Sequence, residues 1–435
     1  MKKKKILDID TKKIWHPFTQ SNNEDKPIII DYAKDEKIYD IDGKAYVDLI
    51  SSWWVNIHGH AKKEIAHAIF KQSKKLEQVV FAGFSHEPAV ILADRLTKLL
   101  PRKLSRVFYS DNGSTAVEIA LKVATQYWYN KNKKKNKFVA FEGGYHGDTI
   151  GAMSVGYSSG FYEPFKDLVF KSDFIPFSQD WRGNNNIFDE EEKALKKIDI
   201  LLHKNSENIA AVILEPLIQG ASGMKMCRPQ YLDNVVKKFQ SKGILVIFDE
   251  VLTGFGRTGK MFALDHLENK PDIVCLAKSL TAGYLPLGAT VFSEYIHQAF
   301  VDISIKKAFL HGHSFSANPI ACSAALESLD LFEKENTFKR IKKIESINSE
   351  GLNFLKSNKR VTKVRFMGGI SAFDIVGFDK GYGADIGNTL KKIFLKKGFL
   401  LRPLGETVYL MPPYCIPEKT LENIYYFIDE ELKKI

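Results

Sequence analysis

The chain has 435 residues, is 44% hydrophobic with 30 Phe and 17 Tyr, and carries 63 Lys and Arg against 52 Asp and Glu, a formal charge of +11. That length exceeds what one hydrophobic core serves and predicts at least two lobes, while the composition excludes a disordered chain. Its 4 cysteines, Cys227, Cys275, Cys322 and Cys415, lack any C-x-x-C spacing, which argues against a zinc site or disulfide framework and suits a reducing cytosol.

The N-terminal MKKKK runs straight into ILDIDTKKIW, without the apolar segment of a signal peptide. No stretch approaches the roughly 20 apolar residues that span a bilayer, so a cytoplasmic protein without a membrane partner is expected. The lysine runs Lys2–Lys5 and Lys131–Lys137 carry no interleaved aromatics and no nucleic-acid-reading signature. They read as solvated surface, and no nucleic-acid partner is expected.

Residues 1–27 read as an irregular arm carrying WHPFTQ, Trp15 to Gln20. Ile38 to Leu49 predicts a β-hairpin turning at Asp42-Gly43. In the next segment, ISSWWVNIHGHA, Trp53 and Trp54 cannot share one face of a strand. One ring facing a cleft and a buried core pair are equally compatible with that spacing. From His60 to Leu100 the periodicity is helical, with Gly83 and Pro88 as breaks. Arg106 to Trp128 reads as strand, Asn-Gly-Ser turn and long helix, whose free N–H groups near Gly113-Ser114-Thr115 could cradle a phosphate.

Phe138–Phe141 predicts a strand, followed by a glycine-rich segment in which Tyr145 could lie flat over a ligand and His146 comes next. Phe161 to Asn208 reads as surface loops and helix. Ala210–Glu215 predicts a strand with Glu215 at its rim, and Pro229–Gln240 a helix. A further helix is expected from Pro319. Beyond Lys334 an amphipathic helix, strands at Val361–Phe366 and Ser371–Val376, another helix, and strands near Gly398–Arg402 and Thr407–Met411 predict a separate α+β lobe.

The segment Ile244 to Leu280 organises the rest. Two short apolar runs, Ile244–Phe248 and Ile273–Leu276, read as buried parallel strands, followed closely by Asp249 and Lys278. Ligands of open α/β sheets sit beyond the carboxyl ends of such strands. Pyridoxal phosphate needs that pair: a lysine for its aldehyde and a carboxylate that keeps its ring nitrogen protonated.

The order Asn-Gly-Ser, Gly-Gly-Tyr-His-Gly, Ile-Phe-Asp-Glu-Val, Ala-Lys-Ser-Leu-Thr-Ala-Gly resembles the fold-type I, class III pyridoxal-phosphate aminotransferases along nearly the whole chain. IWHPFTQ, SSWWVNIHGHA, FLHGHSFSANP and LRPLGETVYLMPPY resemble the branch of that family that aminates 8-amino-7-oxononanoate in biotin biosynthesis. The resemblance implies an α/β fold: a large domain with a mixed, mostly parallel seven-stranded sheet flanked by helices, and a smaller α+β domain built from both termini. The implied division is 1–59 for the arm and hairpin, 60–330 for the large domain and 331–435 for the rest of the small one.

It also implies roles. Lys278 is similar to the lysine that binds the aldehyde and shuttles the proton, and Asp249 to the partner of the pyridine nitrogen. Gly113 and Ser114 match the phosphate turn, and Tyr145 the ring stacked on the cofactor. Gly312, His313 and Ser314 match a loop offered to the phosphate of the other subunit, which implies a homodimer with shared sites. Arg402 resembles the receiver of the substrate carboxylate, Trp53 and Trp54 the cleft aromatics, and Tyr409, Arg257 and Asp148 further substrate positions. Phe18 stands where well-known members carry Tyr in the arm, and His313-Ser314 where some carry Pro-Thr. The first departure leaves the donor open between S-adenosylmethionine and lysine. Other class III ω-aminotransferases and an aminomutase remain as alternatives.

Overall fold

The computed structural model describes residues 2–21, 26–157, 162–378, 381 and 385–435. Residues 22–25 of the arm and Phe161, which opens the expected loop region, lie outside them. In chain order the strands begin with Ile30–Lys34 (β1), Lys37–Asp40 (β2) and Ala45–Asp48 (β3). Leu104–Ser110 (β4), Lys137–Phe141 (β5), Asp173–Ile175 (β6) and Ile209–Leu214 (β7) follow. A short pair, Ile218–Gln219 (β8) and Lys225–Met226 (β9), precedes Leu245–Asp249 (β10), Ile273–Leu276 (β11) and Gly288–Ser293 (β12). The last are Val361–Met367 (β13), Ile370–Ile375 (β14), Phe399–Leu400 (β15) and Thr407–Leu410 (β16).

Seven of them form one sheet in the order β4-β12-β11-β10-β7-β5-β6. β10 pairs in parallel with β7 and β11, whereas β12 runs antiparallel to both β11 and β4. The apolar runs lack polar alternation because both faces are covered. Val246, Phe248, Val274 and Leu276 enter one core cluster, and Leu245, Ile247, Ile273 and Cys275 the other. The mixed, mostly parallel sheet expected from the sequence is therefore present.

Both ends of the chain meet in a four-stranded sheet, β1-β2-β3-β15. The hairpin forms as expected, with Tyr39 opposite Ala45, and β15 joins β3 in parallel with Phe399 opposite Val47. β13, β14 and β16 form an antiparallel sheet, with Ser371 opposite Leu410. The contact of β15 with β3 is what lets residues near position 400 approach the tryptophans that follow β3.

Several expectations are corrected. The arm is not irregular throughout: Lys2–Lys13 is a helix, closed by two lysines that favour a helix C-terminus. Trp53 and Trp54 lie on a kinked helical turn, Ser51–Trp54, rather than on a strand. Pro88 does not break a helix but starts one, Glu87–Leu99, in the first turn where its missing N–H matters least. β6, within the region read as loops and helix, extends the sheet at its edge, and β12 follows directly on the Gly/Pro-rich stretch after Lys278. Among the described residues, no helix is long and apolar enough to cross a membrane.

Candidate active site

A cavity of about 620 Å³ opens at the carboxyl ends of β10 and β11, and both Asp249 and Lys278 line it. Asp249 is the last residue of β10, and Lys278 lies two residues beyond β11. Asp249 is 4% exposed. Its Oδ1 accepts the Val251 N–H at 3.1 Å, and its Oδ2 lies 2.8 Å from His146 Nδ1. The Lys278 amine forms no hydrogen bond or ion pair with a described residue, and its Nζ sits 4.8 Å from the centroid of the Trp54 ring. Burial lowers the pKa of Lys278, and the charges of Asp249 and Glu215 act against that shift. A buried amine of this kind is nucleophilic without a separate base.

The helix Gly113–Asn130 points its N-terminus into the same cavity. Asn112 caps it: its side chain accepts the Thr115 N–H at 3.0 Å, and Thr115 Oγ1 accepts the Asn112 N–H at 3.1 Å. That reciprocal bond fixes the turn and leaves Gly113 and Ser114 at the helix end, where N–H groups and the helix dipole favour an anion. A Cβ on Gly113 would come within 2.7 Å of Val251 Cγ1, so the close approach requires glycine. Ser114 Oγ accepts the Asp148 N–H at 3.2 Å, which ties this turn to the segment carrying Tyr145.

Tyr145 lines the cavity, with its N–H donated to Glu215 Oε2 at 2.9 Å and its hydroxyl to Asp148 Oδ2 at 3.1 Å. Its ring lies nearly parallel to that of Tyr162, at 6.4 Å between centroids. Burial raises the pKa of the phenol, and the Asp148 charge adds to that. Tyr145 therefore stays neutral.

Trp54 is buried, and its indole N–H donates to the Tyr409 hydroxyl at 2.9 Å. Trp53 is 42% exposed, and the Arg402 guanidinium lies 4.5 Å from its ring centroid and 5.7 Å from that of Phe18. Arg402, Trp53, Tyr409 and Phe18 thus cluster beside Trp54, although only Trp54 of these five lines the cavity itself. Arg257 is fully buried and reaches the backbone oxygens of Asn56 at 3.3 Å and of Trp54 and Pro412 at 3.4 Å. It lies behind the cavity wall, where burial lowers its pKa.

Gly312, His313 and Ser314 do not line the cavity. His313 Nε2 stands 3.8 Å from Oδ1 of Asp111, a residue that does line it, so the loop reaches only the rim of its own chain's site. Among the cavity residues without a role assigned from the sequence are two titratable ones, His146 and Glu215, that touch the assigned set. His146 contacts Asp249, and its adjacency to Tyr145 was the visible signal. Glu215 accepts the N–H groups of Tyr145 and Gly220, and burial pushes its pKa up to about 7. Its place at a strand end was visible, but its partners come from other elements.

These groups fit pyridoxal phosphate. The helix end at Gly113-Ser114 could hold the phosphate, Asp249 a protonated ring nitrogen, Lys278 the aldehyde and Tyr145 a ring face, all around one cavity.

Residues 19–432 match the family model described as aminotransferase class-III. The chain is 45% identical to the adenosylmethionine-8-amino-7-oxononanoate aminotransferase of Synechococcus elongatus, over 97% of this chain and 99% of that one. It is similar in structure to the Methanocaldococcus jannaschii enzyme of the same name, with a TM-score of 0.93, 37% identity and 99% of both chains covered. An amine transaminase from an uncultivated Pseudomonas species, solved in its PLP-bound form, matches with a TM-score of 0.89 and 30% identity over 97% of both chains. The chain belongs to the class-III aminotransferases, which are pyridoxal-phosphate-dependent transaminases.

Proposed function

We propose that the chain converts 8-amino-7-oxononanoate to 7,8-diaminononanoate in biotin biosynthesis, with S-adenosylmethionine as amino donor. The observation that carries this reading is the row of side chains leading away from Lys278. Trp54 stands 4.8 Å from its amine, and Trp53 carries the Arg402 guanidinium at 4.5 Å. An apolar wall ending in a fork-shaped cation suits a substrate whose keto carbon is separated by a methylene chain from a carboxylate.

Pyridoxal phosphate supplies the electron sink and carries the amino group from one substrate to the other. The chain's own residues do the rest. Lys278 would hold the aldehyde and would move the proton at the reacting carbon. Asp249 keeps the proton on the ring nitrogen, an electrostatic contribution on the order of several kcal/mol. Gly113 and Ser114 hold the phosphate, Tyr145 and Trp54 exclude water, and Arg402 takes the carboxylate. Tyr409 orients Trp54, Asp148 meets the donor's positive charge, and Arg257 braces the wall behind Trp54.

Residues 60–330 form the large domain, and 1–59 with 331–435 the small one, a division supported by the pairing of β15 with β3. The active unit is a homodimer in which the loop of Gly312, His313 and Ser314 serves the partner's phosphate. Exposed apolar side chains at Phe84, Ile303, Leu310 and Phe315 support that, because such surface marks interaction sites. Four free cysteines support a cytoplasmic location.

The test is a half-reaction panel on the purified holoenzyme with S-adenosylmethionine, lysine and common ω-amines. The expected result is loss of the visible cofactor band with S-adenosylmethionine. Conversion by lysine alone would transfer the donor role to lysine, and conversion only by ω-amines would reject this branch of the family.

A further inference from the structure

Asp48 ends β3 and is fully buried. Its Oδ1 accepts the Ile50 N–H at 3.1 Å, and its Oδ2 accepts the Ser52 N–H at 2.7 Å and lies 2.9 Å from His60 Nε2. These bonds bracket a backbone that L-residues rarely adopt. Ser51, Ser52 and Trp54 have φ of 51°, 58° and 68°, three positive values among four non-glycine residues. Such a conformation persists only where its surroundings over-determine it, and such strain clusters at functional sites.

This turn presents Trp53 to Arg402 and Trp54 to Lys278. It is gripped from three sides. Asp48 holds its N–H groups, Ser51 Oγ donates to Met411 O at 2.7 Å, and Arg257 reaches Trp54 O and Asn56 O. Asp48 is also the carboxylate whose charge acts on the buried Arg257 guanidinium. A carboxylate is suited to this place, since both oxygens accept and neither has to donate.

We propose that Asp48, oriented by His60, is a positioning residue for substrate recognition: it imposes the strained turn that sets the two tryptophans as the wall between the reacting amine and the carboxylate-binding arginine. This deepens the proposed function and rests on it for the identity of the substrate.

The test uses the holoenzyme and the variants Asp48→Asn, His60→Ala and His60→Gln. Asparagine replaces one acceptor oxygen by a donor NH₂ group, which faces the Ser52 N–H or the Ile50 N–H. The expected result for Asp48→Asn is a rise of about tenfold or more in KM for 8-amino-7-oxononanoate, with kcat little changed. His60→Ala should raise KM in the same direction, and His60→Gln, which keeps a donor, should restore most of the loss. A second readout is independent of the substrate: quenching of Trp54 fluorescence by the bound cofactor, taken as the difference from Trp54→Phe, should weaken in Asp48→Asn. Lowered thermal stability with an unchanged KM and unchanged quenching would overturn the proposal and leave Asp48 a purely structural cap. If Asp48→Asn does not fold, an unchanged KM in His60→Ala overturns it equally. If wild-type enzyme does not turn over 8-amino-7-oxononanoate, the substrate assignment fails, and the fluorescence difference still decides the role of Asp48.

Discussion

Asp249 Oδ2 and His146 Nδ1 lie 2.8 Å apart, with both side chains almost entirely buried. Together with the Val251 N–H on Oδ1, the imidazole leaves the carboxylate a single orientation toward the cavity. The imidazole and the Val251 N–H thus fix where the Asp249 carboxylate stands relative to a ring nitrogen bound in the cavity. His146→Ala should therefore lower kcat by about tenfold, equivalent to ~1.4 kcal/mol of transition-state stabilisation. Steady-state kinetics check this, and a raised KM at constant kcat would place His146 in binding instead.

Lys278→Ala should remove the visible absorption of the lysine-bound cofactor and leave no turnover. Among the described residues, this buried, depressed amine is the only lysine lining the cavity. A spectrum identical to that of wild type would move the bond to another amine.

Arg402→Ala should raise KM for 8-amino-7-oxononanoate while leaving that of the amino donor nearly unchanged. Loss of a hydrogen-bonded charge pair is worth ~1.5–3 kcal/mol, or roughly 10- to 150-fold. Equal effects on both substrates would detach Arg402 from the carboxylate.

Gly113→Ala should weaken cofactor affinity, because the added methyl lies 2.7 Å from Val251 Cγ1. Val251→Ala removes that obstruction, so the double variant should recover much of the affinity lost by Gly113→Ala alone. Cofactor titration checks the cycle, and strict additivity of the two changes would show that Val251 is not the obstacle.

Glu250 gives a pH dependence. It is fully buried, and its oxygens accept the N–H groups of Ala263 at 2.9 Å and Leu264 at 2.8 Å and the Thr253 hydroxyl at 2.5 Å. Burial nevertheless raises its pKa from 4.5 to about 7. Between those values the folded chain retains a proton that the unfolded chain has released, so this group makes stability fall as pH rises from 4.5 to 7. Glu250→Gln removes the titration. Its thermal midpoint should decline less than that of wild type between pH 5 and pH 7.5, and equal declines would contradict the assignment.

The strands that frame the site were legible because they are fully buried, and buried parallel strands read as unbroken Val- and Ile-rich runs. The Asn112-Gly113-Ser114 turn was legible for a similar local reason, since a helix cap is written in neighbouring residues. β12 was missed, although its residues Gly288–Ser293 are equally buried, because it follows directly on a Gly/Pro-rich stretch without a boundary of its own. The kinked turn at Ser51–Trp54 was not legible either. Positive φ at serine and tryptophan runs against local preference, and it is held by Asp48, Met411 and Arg257 from separate parts of the chain. The contacts of His146 with Asp249 and of Glu215 with Tyr145 join residues 103 and 70 positions apart, distances that no local pattern records.

The central claim is that Asp249 and Lys278 serve one cofactor in aminating 8-amino-7-oxononanoate. The most direct measurement is mass-spectrometric detection of 7,8-diaminononanoate after mixing holoenzyme, S-adenosylmethionine and 8-amino-7-oxononanoate, beside the Lys278→Ala and Asp249→Asn variants. Product from wild type, none from Lys278→Ala and severely slowed formation by Asp249→Asn is the expected result. Absence of product from wild type with every donor tried, or undiminished product from either variant, would contradict it.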